Sequence, residues 1–384
     1  MKRLIVNGRI FFPNGEIGEG QILIDGRMIA EVGREIPPPA DAEILDASDC
    51  TVIPGLIDAH LHITFGPDYH LLPPGQVALR AASKAHKVLM AGTTAIRDVG
   101  GLHYLDIALR DAIDGGELSG PHMLASGRFI AITGGHAYVR AREADGCDDI
   151  RKAVREQVKA GADFLKFMAS GGVADSSDNP QSAQLTLDEL KVGVEEATRA
   201  GRKAIAHAHS LAAIKNAIDA GCYSIEHGTY MDDETARRAA GEGVWLVPTF
   251  DVYREIAESG KRPAKLAATA KAVLEAKVPR FLRALELGVR WGIGTDGGTS
   301  YPVDNLAAEM EFLVRLGIRN NEVLLRATKV NAEILGLDRK TGTIESGKQA
   351  DLVIVEGNPV TDIRSLKRIR WVIKDGKKFS PSET

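Results

Sequence analysis

The 384-residue chain is 44% hydrophobic and 26% charged with a formal net charge of -4, the balance of a globular protein with one large domain or two smaller ones. It has no basic stripe and no apolar run near the ~20 residues of a membrane span, so we expect neither nucleic acid nor membrane as a partner. The three cysteines lie far apart and the start does not resemble a signal peptide, so we expect a cytoplasmic protein.

Short strands are predicted at both ends of the chain. The first segments are RLIVNGRIFF, GQILIDGRMIAEVG and AEILDAS, with Asn-Gly and Asp-Gly turn signals between or within them. The same pattern of strand and turn residues recurs near the end of the chain, in ADLVIVEGNP and IRWVIKDGKKF. Because neither end has enough strands for a stable sheet of its own, we expect both to join in one small discontinuous β-sandwich domain, residues 1–55 plus 341–384.

Between the two ends, apolar strands alternate with amphipathic helices. Helical segments such as DDIRKAVREQVKAG, TLDELKVGVEEATRAG and SLAAIKNAIDAG begin near a capping residue and end at glycine. The strands are TVIPGLIDAH, TTAIRDV, HMLASG, FLKFMA, KAIAHAH, YSIEHG, VWLVPTF and RWGIGTD. This alternation predicts an α/β fold, a (β/α)8 TIM barrel over residues 56–340. A doubly wound open sheet is the alternative, but it would usually have a Gly-rich phosphate turn where this chain has His-Leu-His.

Residue types that bind metal ions end or occupy five of these strands. In a barrel, active sites form at the carboxyl ends of the strands, so side chains placed there meet. His60 and His62 face the same side of one strand and suit a shared ion. The other strands carry Lys166, His207, His209, His227 and Asp296. A single such histidine is usually structural, and Asp296 alone is compatible with a helix cap, but the coincidence at one end of five strands favours a metal site.

Lys166 is the unusual member of this set. A protonated ammonium repels a divalent cation, whereas a neutral lysine adds carbon dioxide to become a carbamate that bridges two ions, and burial favours that step. The alternative is a salt-bridged or snorkelling lysine. Histidine and carboxylate ligands suit zinc, with manganese, cobalt and iron as alternatives. A metal pair would acidify a bridging water, whose proton Asp296 would take and pass to the leaving amine.

The motifs PGLIDAHLH, HAH, EHG and TDGG, with a lysine in a mid-chain strand, closely resemble those of the amidohydrolase superfamily. The resemblance extends over nearly the whole chain and includes the closing segment TGTIESGKQADLVIVEGNP. Within the superfamily, TGGHA, LKFMASGGV and SIEHGT resemble the imidazolonepropionase-related branch, which includes prolidases and Xaa-Arg or Xaa-Lys dipeptidases.

The resemblance assigns metal-binding roles to individual residues. It implies that His60 and His62 bind the more buried ion and that His207 and His227 bind the second. Carbamylated Lys166 would bridge the two ions. Within HAH the first histidine, His207, is the expected ligand, because the ligand comes first in the corresponding family motifs.

Substrate contacts are expected from the resemblance and from the loop after the third strand. The resemblance implies Asp296 as both ligand and proton shuttle, and it directs His209 toward substrate. His136 in TGGHA and Tyr230 after EHG match positions that contact the substrate carboxylate and the scissile carbonyl. Arg140 follows in HAYVR, where the chain departs from its relatives, and either His136 or Arg140 would bind a carboxylate by charge-assisted hydrogen bonds. The alternative is that these are solvated loop residues.

The expected activity is hydrolysis of an amide C–N bond by a metal-bridged hydroxide, in a dipeptide or N-acyl amino acid with a free C-terminal carboxylate. We expect two divalent ions, with zinc as the expected metal, a small-molecule substrate and a homo-oligomer. The alternatives are hydrolysis of a cyclic amide, lactone, carbamate or ochratoxin-type amide. A non-catalytic structural homologue ranks last, because every ligand position is filled.

Overall fold

The computed structural model describes residues 1–173, 178–298 and 301–381. Its strands are β1 (Lys2–Phe11), β2 (Ile17–Asp25), β3 (Met28–Gly33), β4 (Ala42–Asp46), β5 (Cys50–Pro54), β6 (Leu56–Leu61), β7 (Thr93–Asp98), β8 (His122–Ala125), β9 (Ile130–Ala131), β10 (Arg142–Glu143), β11 (Phe164–Met168), β12 (Lys203–Ala208), β13 (Ser224–His227), β14 (Trp245–Val247), β15 (Arg290–Trp291), β16 (Leu352–Glu356), β17 (Ile369–Lys374) and β18 (Lys377–Phe379). Its α-helices are α1 (Pro74–Met90), α2 (Leu105–Asp114), α3 (Gly146–Ala160), α4 (Leu187–Arg199), α5 (Leu211–Asp219), α6 (Asp233–Glu242), α7 (Asp251–Glu258), α8 (Ala264–Glu286), α9 (Leu306–Arg315), α10 (Asn320–Leu325) and α11 (Asn331–Leu335). None of the helices in these ranges is long and apolar enough to span a membrane.

Strands from both ends of the chain form one mixed sheet. Its order is β18-β17-β16-β5-β1-β2-β3, and β4 pairs with β1 beside this path. β5 connects the two ends, because it pairs antiparallel with β16 and parallel with β1. Isoleucines from β1, β2 and β16 share one buried core, among them Ile10, Ile24 and Ile354. The two termini therefore lie in a common sheet, and the domain boundaries at residues 55 and 341 stay a prediction.

The predicted (β/α)8 barrel is confirmed. Within the described ranges its eight parallel strands are β6, β7, β8, β11, β12, β13, β14 and β15. A hydrogen bond from Asp163 N to Ala125 O, 2.8 Å long, connects β8 to the start of β11. Another, 3.0 Å from Ala59 N to Ile293 O, closes the ring between the first strand and the segment after the last. All eight carboxyl ends therefore face one end of the barrel.

The predicted first strand, TVIPGLIDAH, is in fact two strands. β5 ends at Pro54 in the small sheet, and β6 begins at Leu56 in the barrel. Gly55 lies between them, and a Cβ at this position would lie 2.0 Å from Thr94 Oγ1. Glycine is required there because the backbone passes too close to the neighbouring barrel strand for any side chain.

Three helix ends lie at predicted capping residues. The Thr186 hydroxyl and the Glu189 carboxylate form a reciprocal capping box at the start of α4. The Ser210 hydroxyl accepts from Ala213 N at the start of α5. α3 ends at Gly161, whose φ of 99° is the left-handed conformation of a helix C-cap. These caps determine where each helix returns the chain to the next strand, and hence where the strand ends lie.

Candidate metal centre

His60, His62 and Asp296 form the first group of side chains that could hold a metal ion. The Nε2 atoms of both histidines lie 3.5 Å from Asp296 Oδ1. Burial lowers the pKa of His62 to about 4, so this ring is neutral at pH 7. Although burial raises the pKa of Asp296, hydrogen bonds from both histidines hold it well below its ordinary value. The group therefore offers imidazole nitrogens and an ionised carboxylate, which are suitable donors for a divalent ion.

Hydrogen bonds behind these rings hold their Nδ1 atoms, so that their Nε2 atoms face Asp296. His60 Nδ1 lies 2.6 Å from Glu226 Oε2, and His62 Nδ1 donates to Gly100 O at 3.2 Å. Arg97 donates to both oxygens of Glu226, at 2.9 and 3.0 Å. Burial raises the pKa of Glu226, but the charge of Arg97 and the hydrogen bond from His60 outweigh it and lower the pKa to about 2. Metal-ligating histidines are oriented in this way, so the arrangement fits a bound ion.

Glu226→Gln is expected to destabilise the metal-free protein by roughly 3–5 kcal/mol, because it leaves the buried Arg97 guanidinium without a counter-ion. The measurement is the free energy of unfolding in denaturant at pH 7. Since the pKa of Glu226 lies below its unfolded value of 4.5, its contribution is complete above that pH and is lost as the pH falls toward 2. The difference between the variant and the wild type should therefore shrink in acid.

The control for this variant is Glu242→Gln, whose carboxylate pairs with Arg238 3.1 Å away on the exposed surface. Exposed pairs contribute ~0–1 kcal/mol, so this change should have little effect. Equal stability of Glu226→Gln and wild type at pH 7 would contradict the orienting role of the buried pair.

His207, His209 and His227 form the second group, with one ring nitrogen of each within 4.8 Å of the others. Burial lowers the pKa of all three rings well below the ordinary value, so they are neutral. The centroid of the His227 ring lies 4.6 Å from that of His207 and 5.0 Å from that of His60. The two groups therefore adjoin, and neutral imidazole is the form that binds metal.

Hydrogen bonding distinguishes the three histidines of the second group. His207 Nε2 donates to a backbone carbonyl at 3.2 Å, and His227 Nδ1 lies 2.8 Å from the Thr249 hydroxyl, so the other nitrogen of each ring has no hydrogen-bond partner among the described residues. His209 uses both nitrogens, one on a threonine hydroxyl at 2.7 Å and the other on the Tyr253 hydroxyl at 3.2 Å. This pattern favours His207 and His227 as ligands over His209.

The backbone is strained where these side chains are presented. His227, Thr249 and Asp296 have positive φ values of 73°, 54° and 56°, which are uncommon outside glycine and especially so for a β-branched residue. Lys277 Nζ donates to Pro248 O and Thr249 O, at 3.1 and 2.8 Å, and holds one of these turns. Strain of this kind persists only where the surroundings enforce it, and it clusters at functional sites.

Lys166 lies in β11 and is only 1% exposed. Burial lowers the pKa of its amine to about 8. Within the part of the chain that is described, no carboxylate lies within 4.0 Å of its Nζ. The described residues therefore do not form the salt bridge that was the alternative interpretation of this lysine. A buried lysine without a counter-ion is partly neutral near pH 8, and neutral amine is the form that reacts with carbon dioxide.

One cavity of about 360 Å³ is lined by Lys166 and by members of both groups, namely His60, His62, Asp296, His207 and His227. Its apolar wall includes Phe65, Phe129, Met168, Val173, Val252 and Ile256. Two arginines, Arg140 and Arg262, line the same space. The cavity therefore combines a polar floor at the strand ends with an apolar wall and positive charge, a combination suited to a small organic anion.

The structure separates the four predicted substrate contacts into two pairs. His136 and Arg140 line the cavity, whereas His209 and Tyr230 do not. Tyr230 is not among the described residues that line this cavity: its backbone N–H donates to His209 O at 3.0 Å, and its ring lies 5.8 Å from the guanidinium of Arg280 on α8. Its contact with substrate stays a prediction.

The tyrosine that does line the cavity is Tyr253 of α7. Its hydroxyl lies 3.2 Å from His209 Nε2 and 3.3 Å from His227 Nδ1. Sequence reasoning missed this residue, because nothing in a helical tyrosine distinguishes a cavity contact from a core contact. The orienting role of Glu226 was also missed, although its position before the histidine of EHG was a usable signal.

Two adjoining groups of buried histidines, with an aspartate and a buried lysine at the carboxyl end of a (β/α)8 barrel, define a metal-dependent hydrolase. The amidohydrolase family model matches residues 51–378, and the chain belongs to this family. It is a metal-dependent hydrolase that acts on carbon–nitrogen bonds, and its expected class of reaction, amide hydrolysis, is confirmed.

Similar proteins of known sequence and structure agree with this membership. Ochratoxinase from Aspergillus niger is 31% identical over 421 residues, which cover 98% of this chain and 86% of the ochratoxinase. The structure of a Xaa-Pro dipeptidase with bound methionine in the active site has a TM-score of 0.92 and 33% identity, and covers 99% of this chain and 100% of its own. A prolidase complexed with N-methylphosphonate-L-proline has a TM-score of 0.91 and 30% identity, with the same coverage.

Proposed function

We propose that this chain cleaves the amide bond before a C-terminal amino acid with a free carboxylate, in a dipeptide or an N-acyl amino acid. The observation that carries the proposal is one cavity lined by buried histidines of both groups, beside an apolar wall with two arginines. Lys166 lines the same cavity and has no carboxylate within 4.0 Å of its Nζ among the described residues. The similarity to a Xaa-Pro dipeptidase and to a prolidase supports the same substrate class.

Two divalent ions are proposed as cofactors. His60, His62 and Asp296 would hold one ion, and His207 and His227 the other, since these histidines keep a ring nitrogen free. Zinc suits this set of imidazole and carboxylate donors. When bound, the ions supply Lewis acidity at the scissile carbonyl and make water a better nucleophile near neutral pH.

Lys166 is proposed to carry a carbamate shared by the two ions. Its neutral Nζ attacks the carbon of carbon dioxide. An N–C bond forms while the electron pair of one C=O π bond moves onto oxygen, and the nitrogen gives up one proton to water. The product is a carboxylate on a long arm, which replaces a buried positive charge by a negative one. Burial, which lowers the pKa of Lys166 to about 8, supplies the neutral amine for this step.

Asp296 is proposed to move the proton. Its carboxylate lies beside the two histidines of the first group and stays ionised at neutral pH, so it is ready to accept a proton from the attacking water. The protonated side chain then donates the same proton to the amide nitrogen as the C–N bond breaks, and the nitrogen leaves as an amine.

An ochratoxin-type amide is the second candidate substrate. The similarity to ochratoxinase, over 98% of this chain, favours it. The wall of Phe65, Phe129 and Met168 would also pack against an aromatic acyl group. This candidate shares the amide chemistry of the first and differs in the size of the acyl group.

The experiment is a substrate screen on zinc-loaded protein. The panel contains dipeptides and N-acyl amino acids, the same compounds with the C-terminal carboxylate blocked as an amide, ochratoxin-type amides and cyclic amides. We expect release of a free amino acid from open-chain amides, and a fall of roughly 100-fold or more after chelation that added zinc reverses. Turnover restricted to cyclic amides or lactones would reject the proposed substrate class, and turnover unaffected by chelation would reject the metal centre.

A further inference from the structure

A further group of metal-ligand side chains lies where the barrel meets the small sheet. His122 is the first residue of β8 in the barrel, Asp351 directly precedes β16, and Asp375 lies between β17 and β18. One donor atom of each side chain lies within 4.8 Å of the others. Because His122 stands at the amino end of its strand, this group lies at the opposite end of the barrel from the candidate metal centre.

Two atoms of this group are buried and lack hydrogen bonds. Asp351 is 2% exposed, and neither its Oδ2 atom nor His122 Nε2 has a hydrogen-bond partner among the described residues. The two atoms lie 3.2 Å apart, yet they form no hydrogen bond with each other. A buried polar atom without a partner is costly, and one ion placed between the two atoms would remove the cost for both.

The spacing of the donor atoms matches that of ligands around one ion. His122 Nε2 lies 3.2 Å from Asp351 Oδ2 and 3.6 Å from Asp375 Oδ1. With zinc bonds of about 2.0–2.2 Å in a tetrahedral arrangement, two ligand atoms lie roughly 3.3–3.6 Å apart. An imidazole nitrogen and two carboxylate oxygens are also donors that zinc accepts.

Hydrogen bonds hold the two aspartates in place. Asp351 Oδ1 accepts from Asp375 N at 2.8 Å, which ties the two candidate ligands together and leaves Asp351 Oδ2 to face His122. The backbone carbonyl of Asp351 accepts from Gly55 N at 2.8 Å, at the point where the chain passes from the small sheet into the barrel. Partners of this kind fix the orientation of metal ligands.

Two cations already contact Asp375. Lys374 Nζ lies 2.8 Å from its Oδ2 atom, and Arg27 Nη2 lies 2.8 Å from its Oδ1 atom, the one nearer to His122. An ion in this group therefore competes with Arg27 for Asp375 Oδ1. The Arg27 side chain is 65% exposed, and exposed ion pairs are weak, so the arginine can withdraw into solvent at little cost.

A cavity of about 580 Å³ gives access to this group. His122 and Asp375 are among the residues that line it. The cavity provides an entry path for an ion, which a metal site requires. Since the group offers three protein ligands, water from the cavity would complete the coordination.

We propose that His122, Asp351 and Asp375 bind a divalent transition metal ion such as zinc, and that this ion links the barrel to the small sheet. Its ligands come from both parts of the fold, so the ion adds a connection between them. Its role is structural, and it is separate from the ions proposed for the catalytic centre.

The test compares the zinc content of wild type and of His122→Ala after dialysis against the same free zinc concentration. The variant should hold about one zinc ion per chain fewer, because it lacks one ligand, whatever number of ions the catalytic centre holds. Added zinc should also raise its melting temperature less than that of wild type. Hydrolytic activity should be unchanged, since His122 lies at the other end of the barrel.

Two further variants check this result. Asp351→Asn keeps an acceptor for Asp375 N but replaces the candidate ligand oxygen by an amide nitrogen, so it should lose the same ion even if His122→Ala folds poorly. The matched control is His86→Ala, which removes a half-buried histidine of α1 that belongs to no group of candidate ligands among the described residues. It should keep the zinc content of wild type.

Arg27→Gln tests the competition at Asp375. This variant should bind the ion roughly two- to fivefold more tightly than wild type, because a weak exposed ion pair no longer opposes binding. The measurement is calorimetric titration of zinc, with the heat of His122→Ala subtracted from that of each protein. Binding no tighter than in wild type would exclude Asp375 from the ligand set.

The position of the ion is tested by diffraction at the zinc absorption edge. Crystals of zinc-loaded wild type should show an anomalous peak about 2.0–2.2 Å from both His122 Nε2 and Asp351 Oδ2. Equal zinc content in wild type, His122→Ala and Asp351→Asn would overturn the proposal. So would crystals with zinc in the catalytic centre and no anomalous peak in this group.

Discussion

Asp296→Asn is expected to lower kcat by roughly 100-fold or more, the usual contribution of a general acid–base group. Asparagine has nearly the same shape and, like aspartate, tolerates the positive φ of 56° at this position, so the turn should keep its conformation. Its amide oxygen does not take up a proton at neutral pH. Bound zinc should therefore fall much less than turnover, when both are measured on the same sample.

Asp304→Asn is the control for this change, because Asp304 is an exposed carboxylate a few residues further along the chain. It should alter neither zinc content nor kcat. Near-normal turnover in Asp296→Asn would place the proton-transferring group elsewhere. An equal loss of zinc and turnover would make Asp296 a metal ligand without a role in proton transfer.

Lys166→Ala is expected to lose bound zinc and activity together, with activity falling on the order of 1,000-fold as the Lewis-acid contribution is lost. The reason is that the variant lacks the shared carboxylate arm. Acetate or propionate added at high concentration should partly restore both zinc binding and turnover by filling the space. In the wild type, zinc loading should improve with added bicarbonate, which supplies the carbon dioxide.

Lys277→Ala is the matched control, because Lys277 is a lysine of the barrel that is as deeply buried as Lys166. Its Nζ donates to two backbone carbonyls, so its removal should lower the melting temperature with no rescue by acetate. Electron density that ends at a bare Lys166 ammonium in zinc-loaded enzyme would refute the carbamate. Zinc loading independent of bicarbonate would argue for the same conclusion.

The barrel was predictable because its signal is local. Each apolar strand and each capped helix is recognisable from a short run of consecutive residues. A parallel sheet covered by helices is the packing that buries the apolar faces of the strands and of the helices. The ligand positions followed from the same reasoning, since the carboxyl ends of parallel strands must meet. His60 and Asp296, far apart in the chain, indeed lie 3.5 Å from each other.

The sequence by itself thus determined the fold class and the family, and it supplied the candidate metal ligands that the fold brings together. Tertiary structure decided the choices between neighbours: that His209 has both nitrogens engaged, that Tyr253 and not Tyr230 lines the cavity, and that His136 is paired with an aspartate while Arg140 has no ion pair among the described residues. Those choices depend on side-chain directions and on partners distant in the chain. Sequence periodicity assigns a residue to a strand or a loop. Only tertiary packing decides which of its donor and acceptor atoms are already hydrogen-bonded and which are available to a ligand.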